Sequence, residues 1–427
     1  MAKKPSTSRL IIVSVDGMHP DFYRRAAERG VKIPNILGLV ESGASADAVE
    51  SVYPSTTYPA HATLVTGVAP RAHGIYSHLA SLDPTESARP WHWFAQALDV
   101  PALWTVARVE GLKTAAVSWP VSAGAPIHYN LPEIWNPTVA KPHEDFQTVA
   151  QHSTPGLYEE LLKVLGPALG RVKPDHLRTE AALYLMKKYQ PGLVLFHLVE
   201  YDFQAHRFGP ASREALAALE ETDAEIGRLR EASRTPGEVT FVVLSDHGFV
   251  PVEKEVAPLV ILAEEGLFGK HGTRKPELQR LGAVQAGGSF ALYWLEEPST
   301  LDRQALDRAV TRLGKIGAIA EVVGRDTLEL LGADPDAELM LDAAPGHCFS
   351  DRFRGPVVEK TTTDHGTHGQ LPTRAGLEAS FIVAGPGVAP GKNLGRINLT
   401  DIAPTLAQCL GIPPGMLASE NEPLPLA

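Results

Sequence analysis

The sequence is poor in cysteine, has no long apolar run and shows no excess of basic charge. Its two cysteines, Cys348 and Cys409, stand far apart. They lack the spacing of a zinc-ligand pair and suggest no disulfide framework. Two buried thiols in a reducing compartment are the expectation. The segment MAKKPSTSRL starts with basic residues, but only LIIVSV follows before Asp16. That run is too short for a signal-peptide core or a membrane span, so a cytoplasmic protein with no membrane association is expected. With 39 basic and 50 acidic residues the net charge is −11, which argues against a general binder of nucleic-acid polymers or anionic membranes. A small anionic ligand stays compatible with this charge if a metal supplies positive charge locally. Internal repeats and low-complexity tracts are absent from the sequence, and the sequon Asn398-Leu399-Thr400 has no meaning without secretion.

What is present is ordinary for a globular chain: 44% apolar and 21% charged residues over 427 positions, enough for one large α/β domain with an insertion or for two domains. Short apolar runs end in small or charged residues: LIIVSVD at 10–16, TAAVSW at 114–119, LVLFHLVE at 193–200, TFVVLSD at 240–246 and SFIVAG at 380–385. They are continuous rather than alternating, as strands buried on both faces are. Helical patterns lie between them, among them VKPDHLRTEAALYLMKKYQPG and SREALAALEETDAEIGRLREAS. The alternation predicts an α/β fold with a mostly parallel central sheet and helices on both faces. Ligands in such sheets bind at the carboxyl ends of the strands. Residues 251–355 read differently, with one helical stretch, short strands and turn-rich connections. They are taken as a small inserted α/β subdomain, with 1–250 and 356–427 forming the catalytic domain. The stretch NLTDIAPTLAQCLGI reads as a capped helix that packs back on the sheet.

The segment YPSTTYPAHATLVTG, Tyr53 to Gly67, carries five serine and threonine hydroxyls, on Ser55, Thr56, Thr57, Thr63 and Thr66. Threonine and proline are poor helix-interior residues, so the segment is more than a helix with a polar face. Carboxylates and imidazoles gather at strand ends elsewhere: Asp16 in VSVDGM, Asp202 and His206 in VEYDFQAHRFGP, Asp246 and His247 in LSDHGF, and Asp364, His365 and His368 in TTTDHGTHG. Mixed Asp and His ligands favour a borderline divalent metal such as zinc over calcium or magnesium. On a helix, Asp202 and His206 share a face and can converge on one ion. Each element has a plain structural alternative: a turn at Asp16, a helix cap at Asp246–His247, a solvated pair at Asp202–His206, a polar loop at 364–369.

Taken in order, the blocks IIVSVDGMHPDF, YPSTTYPAHATLVTGVAPRAHGI, PALWTVARVEGLKTAAVSWP, EYDFQAHRFGP, VVLSDHGF and THGQLPTRAGLEASFIVAGPG resemble the nucleotide pyrophosphatase/phosphodiesterase family of the alkaline phosphatase superfamily. They cover about half of the chain. The resemblance implies an alkaline phosphatase-like fold and a hydrolase cleaving phosphodiester or nucleotide pyrophosphate bonds in small substrates, on two divalent ions, expected to be Zn²⁺. It implies Thr57, directly before an aromatic and Pro, as nucleophile and metal contact. Asp16, Asp246 and His247 would hold the metal that activates Thr57, and Asp202, His206 and His368 a second one, with His365 the alternative to His368. Tyr58 would stack on a nucleobase, with a plain wall of the cleft as the alternative. His78 stands where the family usually has an Asn that contacts the phosphoryl group, and Tyr201 replaces the common Pro before Asp202. A phosphonate hydrolase or phosphomonoesterase on the same site, and a metal- or nucleotide-binding protein without turnover, are the rival expectations. The tryptophans Trp91, Trp93, Trp104, Trp119 and Trp135 read mainly as core and rim packing.

Overall fold

The strand Arg9–Val15 stands near the middle of an eight-stranded sheet and organises it. In the computed structural model, which describes residues 9–84, 86, 89–135, 146–166, 173–233, 239–268, 280–413 and 415–427, it pairs in parallel with Leu193–Leu198 on one side and with Val239–Leu244 on the other. Across the sheet the order is 392–393, 44–45, 381–384, 239–244, 9–15, 193–198, 114–117, 129–131. Phe381–Ala384 runs antiparallel to its neighbours; the other pairings are parallel. The five apolar runs read from the sequence are all strands of this sheet. The basic start of the chain at 1–8 lies outside the described residues.

Successive side chains of the central strands enter two separate cores. Leu10, Ile12, Leu193, Leu195, Val242 and Leu244 face one, packed by the helices Thr57–Thr66, Leu103–Val109 and Ile402–Cys409. Ile11, Val13, Val194, Phe196 and Val243 face the other, packed by Pro34–Ser42, Pro174–Tyr189 and Arg213–Ala232. Burial on both faces is why these strands read as unbroken apolar runs. The helix Arg213–Ala232 starts where Ser212 accepts a hydrogen bond from the Ala215 N–H, satisfying one of the free donors of its first turn. Pro174–Tyr189 ends on Gln190 in a left-handed conformation (φ 47°), two residues before the glycine that marks its end in sequence. Among the described residues no helix is long and apolar enough to cross a membrane. Both cysteines are free; burial pushes the Cys348 thiol up to about 12 and that of the half-buried Cys409 up to about 11.

Residues 281–343 form a second, antiparallel sheet of four strands, in the order Ile319–Gly324, Leu339–Ala343, Ser289–Trp294, Leu281–Ala286. One face packs on the helices Pro258–Glu264 and Thr300–Lys315 through Leu259, Leu262, Phe290, Leu306 and Leu341. The opposite face includes Val284, Tyr293 and Met340, which cluster with Tyr53 and Leu371. This sheet therefore leans on the two segments that flank the candidate site.

Candidate active site

Asp16 follows the strand Arg9–Val15, and Asp246 lies two residues beyond Val239–Leu244. Because these strands are neighbours in parallel, both carboxylates leave the sheet at the same end. Gly17 makes the turn with φ +72°, and its N–H donates to Asp246 Oδ1 at 3.2 Å. A Cβ there would stand 2.5 Å from the Phe249 ring, so glycine is required both for the conformation and for the approach. Asp202 and His206 lie one turn apart on the helix Glu200–Phe208. His368 comes from the loop after the two-residue strand Gly366–Thr367.

Two groups of three ligand atoms result, each group mutually within 4.8 Å: Asp16, Asp246 and His247, all buried, and Asp202, His206 and His368, all half-buried. His247 Nε2 is 3.2 Å from Asp246 Oδ2 and 3.4 Å from Asp16 Oδ1. His206 Nε2 is 3.6 Å from Asp202 Oδ1 and 3.2 Å from His368 Nε2. The His247 and His368 rings stack at 3.7 Å, joining the groups. His365 is exposed and belongs to neither group.

The other nitrogen of each imidazole faces a backbone carbonyl. Nδ1 of His247 is 3.0 Å from Gly248 O, that of His206 is 3.1 Å from Gly366 O, and that of His368 is 3.0 Å from Ser55 O. A carbonyl only accepts, so each Nδ1 carries the proton and each Nε2 presents a lone pair to the centre. Those lone pairs meet Asp16 Oδ1, Asp202 Oδ1 and Asp246 Oδ2, the three buried carboxylate oxygens of the site that have no hydrogen-bond partner among the described residues. Lone pairs facing lone pairs at such distances are repulsive, and unpaired buried oxygens are costly. A cation between them removes both problems, so the residues fit a pair of divalent ions held by carboxylate and imidazole.

The carboxyl pKa values express the same crowding. Burial, then Asp202 and Asp246, push Asp16 well above the usual carboxylate range. Burial also raises Asp202, against the pull of His206 and His247. Burial opposes the charge on Asp246 too, but His247 and His61 outweigh it and hold that carboxyl far below the usual range. Burial pushes His368 well below the ordinary imidazole value, leaving it neutral, as a ligand must be.

Thr57 opens the helix Thr57–Thr66, and from Ser51 to Gly67 it is the one residue not buried. Its Oγ1 lies 3.4 Å from His247 Nε2. Ser55, Thr63 and Thr66 each donate to a backbone carbonyl, and Thr56 is enclosed. Of the five serine and threonine hydroxyls only that of Thr57 combines access to solvent with contact to the carboxylate–imidazole groups.

Tyr58 departs from the expected stacking role. It is 2% exposed, its hydroxyl donates to Glu133 Oε1 at 3.2 Å, and its ring packs edge-on against Trp91. Burial on the inner side of the helix leaves no open ring face for a base. His78 also packs edge-on against Trp91, at 5.0 Å. Burial, with Arg89 and His92 nearby, lowers its pKa to about 4, so the ring is neutral and can donate only an N–H.

Four residues near the site carried no role in the sequence reading. Phe249 stands edge-on to His206, His247 and His368 and walls the imidazoles. His61, within the quoted YPAH element, lies 2.9 Å from both Thr57 O and Ser14 Oγ. His197 and Glu133 lie behind Asp16; a histidine in an apolar strand reads as core, and nothing in the sequence around Glu133 marks it.

Comparison with known proteins agrees with this arrangement. The sequence profile described as type I phosphodiesterase/nucleotide pyrophosphatase matches residues 10–369. Ectonucleotide pyrophosphatase/phosphodiesterase family member 3 of Mus musculus is 27% identical over 251 residues, 56% of this chain and 24% of that protein. The venom phosphodiesterase of Macrovipera lebetinus is 27% identical over 256 residues, 56% of this chain and 25% of that one. An uncharacterized pyrophosphatase/phosphodiesterase of Schizosaccharomyces pombe is 27% identical, over 57% of this chain and 45% of that protein. The matches thus span about a quarter of the animal relatives' length. In structure, murine ectonucleotide pyrophosphatase/phosphodiesterase 5, an inactive threonine-to-alanine variant in complex with AMP, aligns with a TM-score of 0.69 at 17% identity, covering 97% of each chain. The human protein of the same name aligns at 0.67 and 17%, covering 97% of this chain and 96% of that one. These likenesses establish an alkaline phosphatase-like α/β fold, and the chain belongs to the type I phosphodiesterase/nucleotide pyrophosphatase family.

Proposed function

We propose that this protein is a metal-dependent hydrolase of phosphodiester or nucleotide pyrophosphate bonds in small substrates, with Thr57 as nucleophile. One observation carries the reading: three orphaned carboxylate oxygens and three imidazole lone pairs converge beside the solvent-reaching hydroxyl of Thr57. Asp16, Asp246 and His247 would hold one ion, and Asp202, His206 and His368 the second, with Zn²⁺ the ion that the mixed oxygen and nitrogen donors favour. A divalent pair supplies Lewis acidity, lowering the pKa of a bound hydroxyl or water and neutralising phosphoryl charge.

The chain's own part is to aim the reacting groups. Thr57 Oγ1 attacks phosphorus, and the bond to the leaving alcohol or nucleotide breaks as the Thr–O–P bond forms. Water then attacks the phospho-threonine, and the Thr57 hydroxyl is regenerated as the Oγ1–P bond breaks. The start of the Thr57–Thr66 helix directs its positive dipole end toward the phosphoryl anion. The His78 N–H is a further donor. The AMP bound by the murine relative supports a nucleotide substrate, and the inactivity of its threonine variant supports a threonine nucleophile.

The burial of Tyr58 favours a second reading, a phosphomonoesterase or phosphonate hydrolase, in which no base has to be held. A panel of a diester, a dinucleotide, a monoester and a phosphonate, each assayed with the zinc-loaded protein, tests the choice. Fastest turnover of the diester or dinucleotide is expected. A preference for the monoester or phosphonate overturns the substrate class, and no turnover of any of the four overturns the enzyme reading.

A further inference from the structure

Asp16 has a second face. While its Oδ1 points at the His247 imidazole, its Oδ2 lies 3.1 Å from Nε2 of His197. His197 is fully buried in the strand Leu193–Leu198, level with Ser14 of the neighbouring strand. Its Nδ1 is 3.0 Å from Glu133 Oε2 and 3.2 Å from Ser118 O. Both ring nitrogens therefore face acceptors, and both donate. Glu133 is 1% exposed, and its remaining oxygen accepts from the Tyr58 hydroxyl at 3.2 Å. Tyr58 is the residue after Thr57. A chain of buried hydrogen bonds thus runs Tyr58–Glu133–His197–Asp16, from beside the nucleophile to a carboxylate that faces it across His247.

The cost of this arrangement argues for a role. Two carboxylates and an imidazole are withdrawn from water in the core of the sheet, where Leu, Val or Phe would pack without penalty. The arrangement also does something that apolar packing could not. By engaging Oδ2 it fixes the rotation of the Asp16 carboxylate, so that Oδ1 alone is presented toward His247. By holding the Tyr58 hydroxyl it anchors the first turn of the helix that carries Thr57.

We infer that Glu133 and His197 are positioning residues, which set the carboxylate of Asp16 for metal binding and hold Tyr58, and with it Thr57, in register with that carboxylate. This rests on the proposed metal-dependent reading of the site. Groups that orient a metal ligand typically contribute about 10–100-fold to metal affinity.

The test is competition between the protein and a zinc chelator, with Zn²⁺ alone as the probe, on the wild-type chain and on His197→Gln, Glu133→Gln and Tyr58→Phe. Thermal melting checks that each variant folds, and kcat and KM are read separately. His197→Gln should weaken one of two zinc equivalents by about 10–100-fold while the other keeps wild-type affinity. Its kcat should fall with KM little changed. Glu133→Gln keeps an acceptor for His197 and should give a smaller loss at the same equivalent. Tyr58→Phe should lower kcat while leaving both affinities intact. Folded His197→Gln with wild-type affinity at both equivalents overturns the inference. If His197→Gln does not fold, Glu133→Gln decides, and unchanged affinity and unchanged kcat in that variant overturn it. A wild-type chain that binds no zinc would instead overturn the metal reading beneath it.

Discussion

The two ligand groups of the site are made of the same chemistry but built in different ways. Asp16, Asp246 and His247 stand at the ends of two adjacent central strands and are almost completely enclosed. Backbone pairing on both sides of Arg9–Val15 fixes their separation. Asp202, His206 and His368 are brought together from a helix and a distant loop, and 12–32% of each side chain is exposed. The loop that carries His368 is held from outside the main sheet. Gly288 N–H, in the turn of the second sheet, donates to His368 O at 2.7 Å. Three residues further on, Leu371 N–H donates to Asp342 Oδ1, and Arg374 pairs with the other oxygen of that buried carboxylate. The inner group is thus a product of the sheet, whereas the outer group depends on the 251–355 region for its third ligand. Identical donor types can therefore differ in robustness because different parts of the chain hold them.

The largest effect should leave this contrast untouched while abolishing chemistry. Thr57→Ala is expected to retain both zinc equivalents by elemental analysis and to lose kcat by about 10³–10⁶-fold, the scale of removing a covalent nucleophile. Thr56→Ala should stay close to wild type. A dead Thr56→Ala beside an active Thr57→Ala would show that the neighbouring threonine is the nucleophile.

Next comes the outer group alone. His368→Ala should lose one zinc equivalent and roughly 10²–10⁴-fold in kcat, the value of one metal's charge stabilisation. His365→Ala should change neither, since that residue is exposed and outside both groups. The reverse ranking would break the assignment of the third ligand.

A smaller and more selective effect tests the support from the second sheet. Gly369 has φ +103°, and a Cβ there would stand 1.9 Å from Ala286 O. Gly369→Ala should cost about 1–3 kcal/mol of stability and weaken one zinc equivalent while sparing the other. Equal weakening of both would show that the two groups share one support.

The mildest experiment leaves the sequence unchanged. Chelator added to the zinc-loaded wild type should withdraw the ions in two phases, the faster from the half-exposed group. Asp202→Asn should remove that faster phase. A single phase would erase the distinction.

The sequence carried the inner architecture well. Strands buried on both faces leave a local signature, so 10–16, 193–200 and 240–246 could be read as strands, with Asp16 and Asp246 at their ends. The helix around Asp202 and His206 was legible as a spacing of four. The pairing of two-residue strands such as Ala44–Ser45 and Lys392–Asn393 was not, because so short a segment has no periodicity. Nor was the inward turn of Tyr58, which depends on Glu133 and Trp91 reaching the same place in the fold. His197 illustrates the same limit. Its neighbours Phe196 and Leu198 describe a core strand correctly, and only the folded chain puts Glu133 and Asp16 on either side of the one polar ring among them.

The reliance of His368 on the turn at Gly287–Gly288 also has a consequence for biosynthesis. The inner ligands and the strands that carry them have all left the ribosome once His247 has emerged. His368 follows only after the whole 251–355 segment has been translated, and its carbonyl finds its donor only when that segment has folded into its own sheet. On the proposed two-ion reading, a nascent chain passes through a period in which the inner group is complete while the outer one lacks His368, and an obstacle to folding of the second sheet would leave a half-loaded protein rather than an empty one.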